Sequence, residues 1–330
     1  MIVARYTPGS GLGNQMTQYA SLYALSRHLD CPLEIPPIDI FPATRPAASK
    51  HDTPRRHNPT YRLKARHYID FASVTPPPGR TIVNHDGSYL ENIYNFHHLR
   101  DDLLDIFSLK HRPLSEYSFF VRRSSHLKQM RVPNISSHDL VISLRIGDFL
   151  NKQGADYRWR KCTYTRFLGF DYFDIILRSL RLGRVFITSD EPFHPLTEAF
   201  RSYDPILVRN DSAEQTMAFI NRFNRIAMSE STYSWWAAYL SNADEIYFPL
   251  SKTGLWGLNS RWDGDTAQWR VSNRINLRDR DLYLRVNDWR YKYVHQESEI
   301  IWPYYNAPGR RTKEDFQSGV AHLQSLHGKC

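Results

Sequence analysis

The sequence contains few cysteines and no long run of apolar residues. Cys31, Cys162 and Cys330 are the only cysteines among 330 residues. Because they are scattered and odd in number, they exclude a disulfide framework and a Cys-x-x-Cys metal site. No stretch reaches the ~18–20 apolar residues of a membrane span, and the N-terminal apolar run is too short for a signal peptide. We therefore expect a cytoplasmic protein that is either soluble or attached to a membrane only peripherally.

Negative charge is also in deficit. The chain has 43 Lys and Arg against 34 Asp and Glu, a net charge of +9 with 41% hydrophobic and 14% aromatic residues. This composition excludes disordered, collagen-like and coiled-coil proteins. The positive charge indicates anionic partners, among them nucleic acids, acidic lipids and nucleotide-diphosphate compounds. The basic segment 45–66 has no recognised nucleic-acid-binding module around it, so we do not expect a nucleic-acid partner.

Short apolar strands alternate with amphipathic helices along the chain. This alternation predicts an α/β fold with parallel sheets and a domain boundary within 125–138, near Pro133. The long proline-rich segment 36–80 is predicted to lack regular structure. Strands are predicted at 2–6, 33–35, 81–83, 140–144, 184–188, 206–208, 225–228 and 245–248. Helices are predicted at 14–29, 96–109, 172–182, 194–203, 213–223 and 232–240.

Four polar clusters follow the predicted strands. Ligands of open parallel sheets bind beyond the carboxyl ends of the strands, near a switch point in strand order, so these clusters are the predicted site. The clusters are residues 9–14, 145–148, 189–191 and 229–234.

Each cluster has a chemical role and a structural alternative. The glycine turn that ends at Asn14 allows close backbone approach to a ligand, but it is neither a Walker loop nor a complete dinucleotide fingerprint. Arg145 offers a guanidinium fork for a diphosphate, or else forms a structural pair with Asp148. Residues 229–234 supply helix caps or phosphate donors. The carboxylates of 189–191 suit a ribose or base, or cap the next helix.

Metal sites are not expected. The segments Asp263-Gly264-Asp265 and Asp279-Arg280-Asp281 have the Asp-x-Asp spelling of metal-dependent sugar transfer, but neither follows a clear apolar strand. The histidines lack the spacing of a zinc site. We therefore predict no metal and no cofactor.

Taken in order, the clusters resemble the bacterial-type alpha-1,2-fucosyltransferase family. Residues 11–20, GLGNQMTQYA, are similar to the opening motif of that family, and residues 230–238, ESTYSWWAA, to its Asn-Ser-Thr-Phe-Ser-Trp-Trp-Ala-Ala block. Residues 143–149, SLRIGDF, resemble its His-x-Arg-Arg-Gly-Asp-Tyr signature, and 189–191 its Ser-Asp-Asp/Glu block. Weaker similarities lie at 88–96 and 287–289, so the resemblance covers about residues 2–290.

The resemblance implies a GT-B-like fold of two Rossmann-like domains and metal-independent, inverting transfer of fucose from GDP-fucose. Residues 1–130 would form an acceptor-side domain, 131–295 the nucleotide-sugar-binding domain and 296–330 a C-terminal extension. The acceptor would be an oligosaccharide, free or lipid-linked. The residues implied in catalysis are Arg145, Asp148 and Glu91. Those implied in donor binding are Gly11, Gly13, Asn14, Gln15, Ser189, Asp190, Glu191, Ser231, Thr232, Tyr233, Ser234 and Trp235.

The sequence departs from the family pattern at four positions. Ser143 replaces the signature His, Ile146 its second Arg, Glu91 a Gln and Glu230 an Asn. The donor sugar and linkage stay open for this reason, and so does the general base, for which Glu91, Asp148 and Asp86 are candidates. The alternatives are a non-catalytic protein that binds nucleotide sugars or glycans, and a nucleic-acid-binding protein suggested by charge alone.

Overall fold

A computed structural model of the chain describes two compact units. The described part of residues 1–110 forms the first, and the described residues beyond 110 form the second. The predicted domains and their acceptor-side and donor-side roles stay predictions. The described residues are 1–44, 60–63, 69, 71–76, 81–84, 90, 93–110, 113–123, 126–132, 134–146, 170–229, 231–250 and 291–295.

The first unit contains a parallel sheet of four short strands in the order β2-β1-β4-β3. Helix α1 (Leu12–His28) connects β1 to β2, and its buried side chains form much of the local core. A second helix, α2 (Arg100–Ile106), follows two 3₁₀ turns. The strands are β1 (Ile2–Val3), β2 (Leu33–Glu34), β3 (Thr60–Leu63) and β4 (Thr81–Asn84).

The second unit contains an eight-stranded sheet. Its helices are α3 (Phe170–Ser179), α4 (Ala213–Ile220) and α5 (Thr232–Tyr239). The first two strands pair antiparallel, β5 also pairs antiparallel with β9, and the remaining pairs are parallel. The strands are β5 (Ser118–Arg123), β6 (His126–Met130), β7 (Leu140–Leu144), β8 (Val185–Ser189), β9 (Ile206–Arg209), β10 (Arg225–Ala227), β11 (Glu245–Leu250) and β12 (Tyr291–His295).

The order of the strands contains a switch point. Along the sheet it reads β12-β11-β10-β7-β8-β9-β5-β6, so the chain builds β8 and β9 on one side of β7 and then returns to place β10 on the other. The six parallel strands thus have the 3-2-1-4-5-6 order of a doubly wound nucleotide-binding sheet. In this topology the ligand crevice lies beyond the carboxyl ends of the two strands that flank the switch. Here those strands are β7 and β10.

The core of the second unit explains its sequence. Strand β7 reads Leu-Val-Ile-Ser-Leu and is buried along its whole length, as expected for a central parallel strand covered on both faces. Beside it, Phe186 contacts Phe119, Phe219 and Phe223 with ring centroids 5.1–6.3 Å apart. Part of the aromatic excess therefore fills this interior.

The structure confirms the predicted mixed α/β class and its parallel-rich sheets, and most predicted elements lie within a few residues of their predicted bounds. Strand β3 lies in the segment predicted to lack regular structure, and the β5–β6 hairpin was not predicted. The predicted helix 194–203 is a 3₁₀ helix, Pro195–Tyr203. The predicted helix 96–109 is shorter, because 3₁₀ turns precede α2.

No helix among the described residues is both long enough and apolar enough to cross a bilayer.

Candidate functional site

Arg145 lies where the switch point predicts a ligand site. It follows the last residue of β7, and its Nη1 donates a hydrogen bond of 3.1 Å to the Ser231 hydroxyl, which lies beyond the end of β10. The contact therefore joins the carboxyl ends of the two strands that flank the switch. Arg145 is partly buried, and its bond to Ser231 holds the guanidinium at the sheet edge.

A chain of buried hydroxyl groups lies beside this contact. The Ser143 and Ser234 hydroxyls are 2.7 Å apart, and Ser234 is 2.9 Å from the Ser229 hydroxyl. All three residues are buried. These three hydroxyl groups link the end of β7 to the first turn of α5 and to the segment after β10. Ser143 thus has hydroxyl partners in the predicted site.

The N-terminus of α5 is arranged to receive an anion. Ser231 is its N-cap residue, with extended backbone angles of φ −142° and ψ 129°, yet its side chain does not cap the helix. The hydroxyl instead accepts the bond from Arg145. Without a side-chain cap, the first-turn N–H groups and the helix dipole favour a negative ligand group. A guanidinium and a helix N-terminus therefore occur together at one end of the sheet.

The acidic cluster after β8 positions the loop after β7. The Asp190 carboxylate accepts a 2.8 Å hydrogen bond from the Ile146 N–H and a 3.1 Å bond from the Ser189 hydroxyl. The Ser189 hydroxyl also accepts a bond from the Glu191 N–H at 3.0 Å. The Ile146 side chain is fully buried. Asp190 thus positions the backbone next to Arg145, and its side chain remains exposed.

His194 is a site residue that the sequence reasoning missed. It follows the acidic cluster, and its backbone N–H donates to the Glu191 carbonyl at 3.1 Å. Burial lowers the pKa of His194 to about 4, and the negative charge of Asp190 opposes this shift only in part. The imidazole is therefore neutral at pH 7. Its position three residues after Glu191 was the available sequence signal.

We expect His194 to make the protein less stable in mild acid. The pKa of His194 is about 4 in the folded protein and about 6.5 when unfolded, so the unfolded chain binds more protons between these values. For a fully buried group this shift would be worth about 3 kcal/mol, but the imidazole is partly exposed, so the free energy of unfolding should fall by about 1–2 kcal/mol as the pH drops from about 6.5 to about 4. Denaturant titration of wild type and His194→Gln at both pH values measures this; an equal loss in both proteins would contradict it.

Two predicted donor-binding residues of α5 face the interior. The Tyr233 hydroxyl donates a hydrogen bond to the Ala213 carbonyl of α4, and burial raises the pKa of Tyr233 well above its usual value. Trp235 is fully buried and stacks on Tyr239 at 4.5 Å between centroids. Trp236, also buried, meets Trp235 edge-on at 5.0 Å. The tryptophan pair therefore has the placement of core aromatics.

In the first unit, the glycine turn is held by two glutamines of α1. The side-chain oxygen of the buried Gln18 accepts hydrogen bonds from the Thr7 N–H at 2.9 Å and from the Thr7 hydroxyl at 3.1 Å. The side-chain NH₂ of Gln18 donates to the Ser10 hydroxyl at 3.2 Å. Gln15 donates to the Ser10 carbonyl at 3.0 Å. Gly11 is the N-cap of α1, and an added Cβ there would meet only open space. The glutamines of the opening motif thus fix the turn.

Gln18→Leu tests this role of the glutamine. The substitution removes the side-chain bonds to the Thr7 N–H, the Ser10 hydroxyl and the Asn14 carbonyl, so we expect a loss of about 1–3 kcal/mol in unfolding free energy. We also expect faster proteolysis within residues 7–10. Gln15→Leu, which removes the single side-chain bond to the Ser10 carbonyl from a partly exposed residue, is the control and should cost less than half as much. Equal losses would contradict the assignment.

The remaining predicted residues are accounted for as follows. Gly13 is buried in the first turn of α1, while Asn14 and Thr232 lie in the first turns of α1 and α5. Asp148, Glu91, Asp86, Glu230 and both Asp-x-Asp segments lie outside the described residues. Within the part of the chain that the structure describes, no three His, Cys, Asp or Glu side chains are grouped to hold a metal ion.

Comparison with known proteins adds no family assignment. No protein-family model matches this chain, and no curated protein matches it. A proposal about function must therefore be based on the chemistry of the site.

Proposed function

We propose that the protein is an inverting, metal-independent glycosyltransferase that moves fucose, or a related sugar, from a GDP-sugar to a hydroxyl group of a glycan. The proposal includes a GT-B-like arrangement of two Rossmann-like domains, with the donor bound mainly by the second unit. The acceptor is an oligosaccharide, free or lipid-linked, and the basic segment 45–66 is a candidate for peripheral membrane contact.

The observation that carries the proposal is the Arg145–Ser231 contact at the switch point. A guanidinium fork binds two diphosphate oxygens at once, and the adjacent N-terminus of α5 adds N–H donors. Both stand beyond the carboxyl ends of β7 and β10, where doubly wound sheets bind nucleotides. Together the guanidinium and the N–H groups can balance the negative charge of a diphosphate.

In the proposed reaction, an acceptor hydroxyl oxygen attacks the anomeric carbon of the donor sugar. The bond from that carbon to the diphosphate oxygen breaks, and GDP leaves with the bonding electron pair. The hydroxyl proton passes to a general base, for which Glu91, Asp148 and Asp86 are the candidates. Because negative charge grows on the leaving diphosphate, donors aimed at it stabilise the transition state more than the ground state.

The neighbouring residues have supporting roles in this proposal. Asp190 and Glu191 bind hydroxyl groups of the nucleoside, and Asp190 also holds the Ile146 N–H, which orients the segment that carries Arg145. Thr232 and Ser234 belong to the first turn of α5, which receives the phosphates. His194 lies near Asp190 and is neutral at pH 7, so it adds no positive charge beside the Asp190 carboxylate.

The experiment combines binding and turnover. Calorimetry with GDP, UDP and ADP should show binding of GDP in preference to the other nucleotides. GDP-fucose and GDP-mannose are then incubated with a panel of oligosaccharides, and GDP release is followed with and without excess EDTA. We expect release that depends on the acceptor and is unchanged by EDTA.

Three results would contradict the proposal in different ways. GDP binding without release on any acceptor would favour the non-catalytic binding protein. Activity abolished by EDTA and restored by Mn²⁺ would exclude the metal-independent mechanism. Salt-dependent retention on DNA without GDP binding would favour the nucleic-acid-binding alternative.

A further inference from the structure

A pocket of about 550 Å³ with both polar and apolar lining residues lies in the second unit, away from the candidate site. Its volume is within the range of small-molecule sites, about 300–1,000 Å³. The residues that line it come from the segments that lead into β7, β10 and β11, and from residue 114. Arg145, Asp190 and Ser231 follow the opposite ends of the strands. Strand β7 alone separates the two edges by roughly 13–16 Å.

Asparagine dominates the lining of this pocket. Four of its residues are asparagines, at positions 134, 221, 224 and 242, and no carboxylate is among the lining residues. The Asn224 amide donates to the Asp244 carboxylate at 2.9 Å, which fixes its orientation. Among the described residues, no side-chain hydrogen bond occupies the amides of Asn134, Asn221 or Asn242. Three amides are therefore available to a ligand.

The chemistry of the lining selects the ligand class. A carboxamide presents an acceptor oxygen and two N–H donors in one plane, which matches neighbouring hydroxyl groups of a sugar ring. Leu114 and Ile135 add apolar surface for the C–H face of a ring. Arg222 is the one charged lining residue, and its guanidinium lies 5.9 Å from the centre of the Tyr117 ring. A cluster of neutral amides with little charge suits an uncharged polyhydroxylated ligand.

We propose that this pocket is a second carbohydrate-binding site, which holds a neutral oligosaccharide at the amino-terminal edge of the sheet. Because it lies across the sheet from Arg145, it takes no part in bond making or breaking. It binds a sugar segment whether or not the protein transfers sugars. The proposal therefore stands or falls independently of the proposed function.

Saturation-transfer NMR on the full chain tests the site, with lactose, maltotriose and chitotriose as probes. We expect at least one of them to bind with a dissociation constant on the order of 1 mM. The double variant Asn221→Ala/Asn242→Ala should bind it ~10-fold or more weakly, because two amide contacts are lost. Both side chains lack internal partners among the described residues, so the melting temperature should not change.

Two control variants locate the binding. Arg145→Ala disables the proposed donor site and should leave affinity for the oligosaccharide unchanged. Gln129→Ala removes an exposed amide on the edge strand β6, outside the pocket, and should also have no effect. Wild-type affinity in the double variant, or no binding of any probe, would overturn the proposal. Displacement of the sugar by inorganic phosphate would overturn it in favour of an anion site at Arg222.

Discussion

Arg145→Ala should reduce turnover on the order of 10²-fold or more while the protein stays folded, by analogy with removal of an oxyanion-stabilising donor. The substitution removes the guanidinium that donates to Ser231 at the switch point. The diphosphate would then keep only the N–H groups of α5 to balance the charge that it gains as the sugar departs. Each lost factor of ten corresponds to about 1.4 kcal/mol of transition-state stabilisation.

The controls for Arg145 separate charge from geometry. Arg145→Lys retains the positive charge but loses the planar fork, so its turnover should lie between those of wild type and the alanine variant. Ser231→Ala removes the hydroxyl that orients the guanidinium; it should lower kcat, and adding it to Arg145→Ala should have little further effect. Arg209→Ala is the matched control, because this exposed arginine ends β9, which β8 separates from β7 in the same sheet.

Initial rates of GDP release at saturating donor measure these effects, with circular dichroism as the check on folding. Near-normal turnover of Arg145→Ala would contradict the assignment of Arg145 to the diphosphate. A loss equally large in Arg209→Ala would show that overall positive charge, rather than one placed guanidinium, carries the effect.

Several residues at the carboxyl ends of the strands could be predicted, because their positions depend on local sequence patterns. An apolar run such as β7, followed by Arg145, can be identified from sequence, and the carboxyl ends of parallel strands share one edge by geometry. The order of the strands could not be predicted in this way. Whether β10 lies beside β7 or beyond β9 depends on long-range packing. The observed placement of β10 beside β7 brings Ser231 to Arg145.

The directions in which side chains point could not be predicted from the sequence either. The tryptophan pair in the 230–238 block has the composition of a binding site, yet Trp235 is fully buried and stacks on Tyr239. The antiparallel β5–β6 hairpin was missed because its exposed residues do not alternate clearly between apolar and polar. The pairing of Ser143 with Ser234 was also hidden, since the two hydroxyls are 91 positions apart in the chain.

The largest stability effect is expected at the opposite edge of the sheet, where Asp139 leads into β7. Its side chain is 1% exposed and forms a 2.6 Å ion pair with the Arg184 guanidinium, which is 33% exposed. The carboxylate also accepts 2.8 Å hydrogen bonds from the backbone N–H groups of Ser136 and Arg184. Burial alone would raise the pKa of Asp139, but the bonds from Arg184 and Ser136 outweigh it and lower the pKa.

Asp139→Ala should therefore cost about 3–5 kcal/mol, because it leaves a partly buried cation and two backbone donors without their acceptor. That is a large share of the roughly 5–15 kcal/mol that stabilises a typical domain. Arg178→Ala is the control, since it breaks a surface ion pair with Asp174 in which the arginine is half exposed. Its expected cost is below about 1 kcal/mol. Urea titration at pH 7 measures both losses.

Gly183→Ala tests the same cluster without removing a charge. A Cβ at this position would lie 2.6 Å from the Asp139 carboxylate oxygen and 3.2 Å from the His138 carbonyl carbon, so the carboxylate must leave its place between Ser136 and Arg184. We expect a loss comparable to that of Asp139→Ala and, because both changes disrupt one network, a double variant less destabilised than the sum. Additive losses, or a Gly183→Ala protein as stable as wild type, would show that the carboxylate does not depend on this close approach.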